Sequence, residues 1–143
     1  MILLTISGII GFLLNSSIVL TSFIHYKTLR AIDYFVTNIA LCDVAMVVGM
    51  YPMLIAALYH QRWVFGQLGC RIYGFLGHFT AFCSIYTLTM LALVRYFSLR
   101  YNRIKYYLLK RRLTFSLMLG IYVFTLVVTI PPFTETWGRY DIE

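Results

Sequence analysis

The chain has 143 residues, of which 61% are hydrophobic and only 12% are charged, and its mean hydropathy is +0.80. This composition leaves too little polar surface to coat a water-soluble globule, so it excludes an ordinary soluble domain and indicates a membrane protein. The formal net charge of +7 then has to be explained by where the basic residues lie along the chain.

Four apolar runs follow one another along the chain, and each reaches the roughly 20 residues that cross a bilayer as a helix. The first run lacks a basic start and is longer than the apolar part of a signal peptide, which favours a spanning helix. The runs do not alternate apolar and polar residues, as the strands of a membrane β-barrel do. We predict an all-α membrane protein with helices at about 1–26, 34–59, 70–100 and 112–133.

The basic residues predict the orientation of these helices. Nine of the twelve lie in the first and third connections, and only Arg62, Arg71 and Arg139 lie elsewhere. By the positive-inside bias, the first and third connections are cytoplasmic, which places the amino terminus, the second connection and residues 134–143 outside. The net charge therefore reflects topology, and we expect no nucleic-acid partner.

Polar side chains inside the apolar runs are the first candidates for function. Asp43 is the single formal charge within a run, and a carboxylate at a helix centre costs about 2.5–3.5 kcal/mol on insertion scales unless it is paired or hydrated. Asn15 and Asn38 are natural partners because an amide both donates and accepts hydrogen bonds. We predict one polar cluster of these three residues, although a water-satisfied carboxylate that only holds helices together would look the same in sequence.

The third helix carries a stripe of small residues formed by Gly74, Gly77 and Ala81. Such a stripe is typical of close helix packing, and it would equally leave room for a flat ligand against the backbone. His78 lies beside it and is either a packing residue or a ligand contact. The sequence shows no phosphate-binding loop, no metal-ligand spacing and no local hydrolase motif, so no metal site and no hydrolytic activity are predicted.

The chain contains three cysteines. Cys42 and Cys83 lie within apolar runs, where a cysteine usually serves as a small buried hydrophobic residue. Cys70 lies at the outer mouth of the third helix, where the environment is oxidising, and no second outer cysteine is present. It is either a free thiol or pairs with a cysteine beyond Glu143.

Taken in order, the motifs of the chain resemble the first four helices of a rhodopsin-like G-protein-coupled receptor. They are GFLLNSSIVL in helix one, TNIALCD in helix two, RWVFGQLGC before helix three, VRY at its inner end and a proline pair closing helix four. Within that superfamily the spellings are similar to those of opsins, since WVFGQLGC is followed by IYGFLG and the proline pair is followed by WGRY.

The resemblance implies retinal as the cofactor, held as a protonated Schiff base that needs a carboxylate counterion. One family counterion position falls on Tyr73, which is not an acid. The other lies at the start of the second extracellular loop, residues 134–143, and falls on Glu143, with Asp141 as a substitute and an ordinary solvated loop acid as the competing interpretation. The implied retinal pocket consists of Tyr73, Gly74, Gly77, His78, Ala81 and Phe82.

The resemblance also implies partners and missing parts. Arg95 and Tyr96 would face a heterotrimeric G protein on the cytoplasmic side of the plasma membrane or a photoreceptor membrane, and Cys70 would pair with a loop cysteine not present here. The family's retinal-attachment lysine lies in helix seven, whereas Lys27, Lys105 and Lys110 are all predicted to be cytoplasmic. We therefore expect this chain to be the amino-terminal part of a receptor and to be inactive by itself.

Two residues depart from the receptor pattern. Val94 stands where an acid usually precedes the arginine of helix three, so the ion pair that restrains this arginine is absent and coupling to a G protein is in doubt. Tyr122 stands where helix four usually carries a tryptophan. Together with WGRYDIE, a non-acidic residue before RY keeps open a photoisomerase-type opsin close to neuropsin and peropsin. A non-opsin orphan receptor and a four-helix membrane protein with a structural role are further alternatives.

Overall fold

The computed structural model describes residues 2–101 and 110–133, and within these ranges the regular structure consists of four α-helices. Each is long and apolar enough to cross a membrane, which confirms the predicted all-α membrane fold. The helices are α1, Ile2–Ile24; α2, Ala31–His60; α3, Gly66–Arg100; and α4, Arg111–Phe133.

The helix ends differ from the expected bounds by a few residues, and local interactions account for the largest differences. α2 begins at Ala31 because the Asp33 carboxylate accepts a hydrogen bond from the Arg30 backbone N–H at 2.8 Å, which satisfies a donor at the start of the helix. α3 begins four residues before Cys70, where the chain turns through Gly66 with φ +64°. Only glycine adopts such a conformation without steric cost.

The helices are arranged around α2 and α3. α3 packs against both α2 and α4, α2 also contacts α4, and α1 packs only against α2 among the described helices. The buried core is small: Phe35, Leu91 and Val94 pack together, and Cys42, Cys83 and Ile121 form a second cluster. Most large apolar side chains on the outer helix faces are exposed, as expected for surfaces that contact lipid or further helices.

One close approach fixes α1 against α2. Gly8 of α1 is buried, and a Cβ atom at this position would lie directly against the Tyr51 ring of α2. We expect Gly8→Ala to lower the free energy of unfolding by about 1–3 kcal/mol because the aromatic ring must be displaced.

The matched control for this substitution is Gly11→Ala, one turn along the same helix, where a Cβ would meet no heavy atom within 4 Å. Unfolding of both variants in detergent checks the prediction. Equal stability of the two variants would contradict it.

Candidate functional site

An open groove of about 310 Å³ lies between α2 and the outer half of α3. Its floor is the stripe of small residues on α3, and Met50 of α2 forms the opposite wall. A Cβ at Gly77 would lie 2.9 Å from Met50 Cε, so the absence of a side chain at this position lets Met50 pack closely against α3. The lining residues are Met50, Tyr73, Gly74, Gly77, His78 and Ala81.

Five of the six residues predicted to form a retinal pocket therefore line one groove, and Met50 is a wall residue that the sequence analysis did not identify. Phe82 does not line it. Its ring centroid lies 6.1 Å from that of His78 and 6.1 Å from that of Tyr86, so Phe82 supports the histidine along α3. Met50 lies on another helix, and its facing position becomes evident only from the packing of α2 on α3.

His78 is held in one orientation by its own helix. Its Nδ1 lies 2.8 Å from the Gly74 carbonyl oxygen, and because a carbonyl only accepts hydrogen bonds, Nδ1 is the donor. This bond fixes the plane of the imidazole ring at the edge of the groove. The histidine is thus both a local packing residue and a wall of the cavity.

Aromatic residues pack against Tyr73 at the outer end of the groove. The Trp63 ring centroid lies 5.4 Å from that of Tyr73 and 5.6 Å from that of Phe65, and Trp63 Nε1 donates a hydrogen bond to the Gly66 carbonyl at 2.8 Å. Paired aromatic rings of this kind add stability beyond the area they bury. The second connection therefore holds Tyr73 in place at the groove mouth.

Three predicted outer residues have no described contact with this groove. Cys70 is half-buried and forms no disulfide within the described residues, and its expected pairing with a cysteine beyond Glu143 stays a prediction. Glu143 and Asp141 lie outside the described residues, so the counterion assignment also stays a prediction.

The intramembrane polar residues are arranged differently from the predicted cluster. Asn15 donates a hydrogen bond from Nδ2 to the Gly11 carbonyl of its own helix at 2.9 Å. Asp43 is half-buried and has no hydrogen-bond partner within the described parts of the chain. Asn38 and Asp43 are five residues apart on α2, which turns their side chains about 140° away from each other, so they do not share a partner.

Asn38 instead joins three helices through a buried polar node, which we define as Asn38, Thr87, Cys83 and Tyr122. Asn38 Nδ2 donates to Thr87 Oγ1 at 2.9 Å and to Cys83 Sγ at 3.8 Å, and the Tyr122 hydroxyl donates to Asn38 Oδ1. The sequence analysis missed this node. Because buried polar groups need partners, the polar residues of α3 and α4 were candidate hydrogen-bond partners of Asn38. Which of them face Asn38 depends on how the helices pack together.

The packing at the inner end of α3 explains why Val94, and not the acid expected from the resemblance, precedes Arg95. Val94 is 3% exposed and packs against Phe35 and Leu91, whereas Arg95 and Tyr96 are exposed. Within the described residues, no carboxylate forms an ion pair with Arg95. An apolar residue at position 94 thus stabilises the contact between α2 and α3 and leaves the arginine accessible.

Comparison with known proteins agrees with this arrangement. Residues 14–142 match the family 7 transmembrane receptor (rhodopsin family). The chain is 33% identical over 142 residues to the Gq-coupled rhodopsin of Mizuhopecten yessoensis, covering 98% of this chain and 28% of that protein. It is 32% identical over 143 residues to melanopsin-A of Danio rerio, covering 99% of this chain and 24% of the relative.

The same similarity extends to human melanopsin, with 29% identity over 137 residues, 95% of this chain and 28% of the relative. The chain thus spans about a quarter of the length of these relatives. The family match covers all but the first 13 residues and the last one, and four membrane-length helices follow in the expected order. The chain is a multi-pass membrane protein that belongs to the rhodopsin family of seven-transmembrane receptors and is opsin-like in sequence.

Proposed function

We propose that the native protein containing these residues is a light-sensing receptor that binds retinal in the groove between α2 and α3 and signals to a G protein. The observation that carries this proposal is the groove itself, because five of the residues expected from opsins line it together. Its apolar walls suit a polyene, and the two glycines allow a flat chain to approach the backbone. One of the relatives is named as a Gq-coupled rhodopsin.

The groove offers such a ligand a shaped apolar surface, with the fixed imidazole of His78 as its polar edge. Tyr73, packed against Trp63, lies at its outer end, and Met50 provides a flexible wall that adapts to the shape of a bound chain. The protonated Schiff base of bound retinal would be formed with a lysine outside this chain. Among the residues here, Glu143 is the proposed counterion.

The direct test uses the native protein that contains these residues, purified in the dark and supplied with 11-cis-retinal. We expect a visible absorption band that is absent without retinal, and light-dependent nucleotide exchange on an added G protein. No band would refute retinal binding. A band without light-dependent exchange would refute signalling and keep the retinal-binding part of the proposal.

A second candidate is a retinal photoisomerase with little signalling, and the packing of Val94 favours it. A valine buried against Phe35 and Leu91 provides no carboxylate to hold Arg95 in an inactive state. Extraction of retinoids before and after illumination of the same sample separates the two candidates. Net conversion of all-trans to 11-cis retinal favours the photoisomerase, whereas an unchanged isomer ratio excludes it.

The counterion assignment predicts the behaviour of Glu143→Gln in the native protein. Removing the negative charge lowers the pKa of the Schiff base, because a buried cation without a partner is destabilised. We expect the visible band to be replaced at neutral pH by the ultraviolet band of the unprotonated form. Asp141→Asn is the matched control and is expected to retain the visible band, so equal spectra for the two variants would contradict the assignment.

A further inference from the structure

The inner ends of α2 and α4 carry exposed positive charge that the proposed light response does not use. Lys27, Arg111 and Arg112 are exposed. The acidic residue next to the first connection is Asp33, in the first turn of α2, and its carboxylate is already engaged by Arg30, at 2.8 Å from the backbone nitrogen and 3.4 Å from Nε. The other cations at this end are therefore not neutralised by Asp33.

Arg111 is held in place by two aromatic rings. Its guanidinium carbon lies 5.0 Å from the Tyr34 ring centroid and 5.8 Å from the Phe115 ring centroid. The two rings also pack against each other, with their centroids 5.2 Å apart. Because Tyr34 belongs to α2 and Phe115 to α4, this contact joins the two helices. Cation–π contacts orient the guanidinium plane while leaving its N–H edge available for an anion.

Tyr34 also connects this pair to the first connection. Its hydroxyl donates a hydrogen bond to the Tyr26 carbonyl at 3.5 Å, and Lys27 is the next residue, with Nζ 5.8 Å from the Tyr26 ring centroid. Tyr34 therefore contacts the arginine of α4 and the backbone segment that carries Lys27. Tyr34 thus links the arginine of α4 to the segment that leads into Lys27.

The depth of this group in the membrane is fixed by the adjacent helix. Arg111 is the first residue of the apolar span Arg111–Pro131, so its guanidinium lies at the level of the lipid headgroups on the cytoplasmic side. We propose that Arg111, with Arg112 and Lys27, binds the phosphorylated inositol headgroup of an inner-leaflet lipid. A planar guanidinium binds a phosphate through two parallel hydrogen bonds, and several cations favour a multiply charged headgroup over phosphatidylserine.

The test measures binding of the purified protein, embedded in phosphatidylcholine nanodiscs, to a fluorescent bisphosphorylated phosphatidylinositol. We expect Arg111→Gln to weaken this binding about fivefold, the loss typical of one basic residue near an anionic surface. Arg62→Gln is the matched control because Arg62 is an exposed arginine at the opposite membrane face. It is expected to leave the affinity unchanged.

Two further variants distinguish specific headgroup binding from nonspecific electrostatic attraction to anionic lipid. Tyr34→Leu keeps every charge, and removal of the cation–π contact is expected to weaken binding by about two- to fivefold. Arg111→Lys keeps the charge but loses the planar pair of donors, so in the same nanodiscs we expect it to bind a fluorescent phosphatidylserine normally and the phosphoinositide more weakly. Circular dichroism confirms that each variant keeps its helices.

Several results would overturn the proposal. Equal losses for Arg111→Gln and Arg62→Gln would show that the protein's overall charge governs binding. An equal loss for phosphatidylserine and the phosphoinositide in Arg111→Gln would show general leaflet attraction without headgroup recognition. Unchanged affinity in Tyr34→Leu would show that the ring contact does not prepare a site.

Discussion

Gly77→Leu is expected to weaken retinal binding and so lower the yield of the visible pigment in the native protein that contains these residues. Gly77 lies on the floor of the groove, and its missing side chain allows Met50 of α2 to pack closely against α3. A leucine side chain would occupy the space proposed for retinal. Overpacking of a filled site costs about 1–3 kcal/mol, which corresponds to a loss of affinity of roughly five- to 150-fold.

Two control variants test whether the effect depends on the position and on the size of the new side chain. Gly120→Leu introduces the same side chain on α4, where a Cβ would meet no heavy atom within 4 Å, and it should form pigment normally. Gly77→Ala should show a smaller loss, because its Cβ meets the mobile end of Met50 at 2.9 Å. The measurement is the yield of the visible band during titration with 11-cis-retinal in the dark.

The result also tests the placement of the chromophore. Normal pigment in Gly77→Leu would show that retinal lies elsewhere, and the groove would then be a packing feature of α2 and α3. Loss of pigment in Gly120→Leu as well would indicate a general folding defect. Loss in Gly77→Leu alone would support the groove as the binding site.

Asn38→Leu is expected to destabilise the helical bundle more than Asn15→Leu or Tyr122→Phe. Asn38 is 4% exposed and bonds to residues of both α3 and α4. Its removal leaves the Tyr122 hydroxyl without this acceptor in an apolar environment, and a buried unsatisfied polar group costs about 1–3 kcal/mol. The free energy of unfolding in mixed detergent and lipid micelles measures the effect.

Asn15→Leu is the matched control, because it exchanges the same two residue types within α1. The Asn15 amide donates to the Gly11 carbonyl of its own helix, so its loss removes no hydrogen bond between the described helices. We expect a change of about 0.6 kcal/mol or less, the average for a membrane hydrogen bond. Similar losses in the two variants would contradict a structural role for the buried polar node.

Tyr122→Phe refines the same test. It removes the hydroxyl that donates to Asn38 but keeps the ring, which lies 6.3 Å from the Phe79 centroid. We expect a loss intermediate between those of Asn15→Leu and Asn38→Leu. This substitution also tests the role of the tyrosine hydroxyl of α4, which supplies the hydrogen bond to Asn38.

The sequence by itself determined the class, the number of predicted spanning helices and their order. These properties depend on the length and apolarity of continuous segments, which the chain carries locally. The small residues around Gly77 could also be placed on one face of α3 from spacing alone, since positions three and four apart share a helix face. The resemblance to opsins supplied the interpretation of that face as a ligand wall.

The tertiary structure decided which helices face one another and therefore which side chains meet. Met50 is a groove wall because α2 packs against α3. Asn38 accepts a hydrogen bond from Tyr122 because α2 also contacts α4. Arg111 came to lie over Tyr34, far from it in sequence, for the same reason. Helix spacing gives the direction of a side chain within its own helix, but its partner depends on how the helices are rotated and packed together.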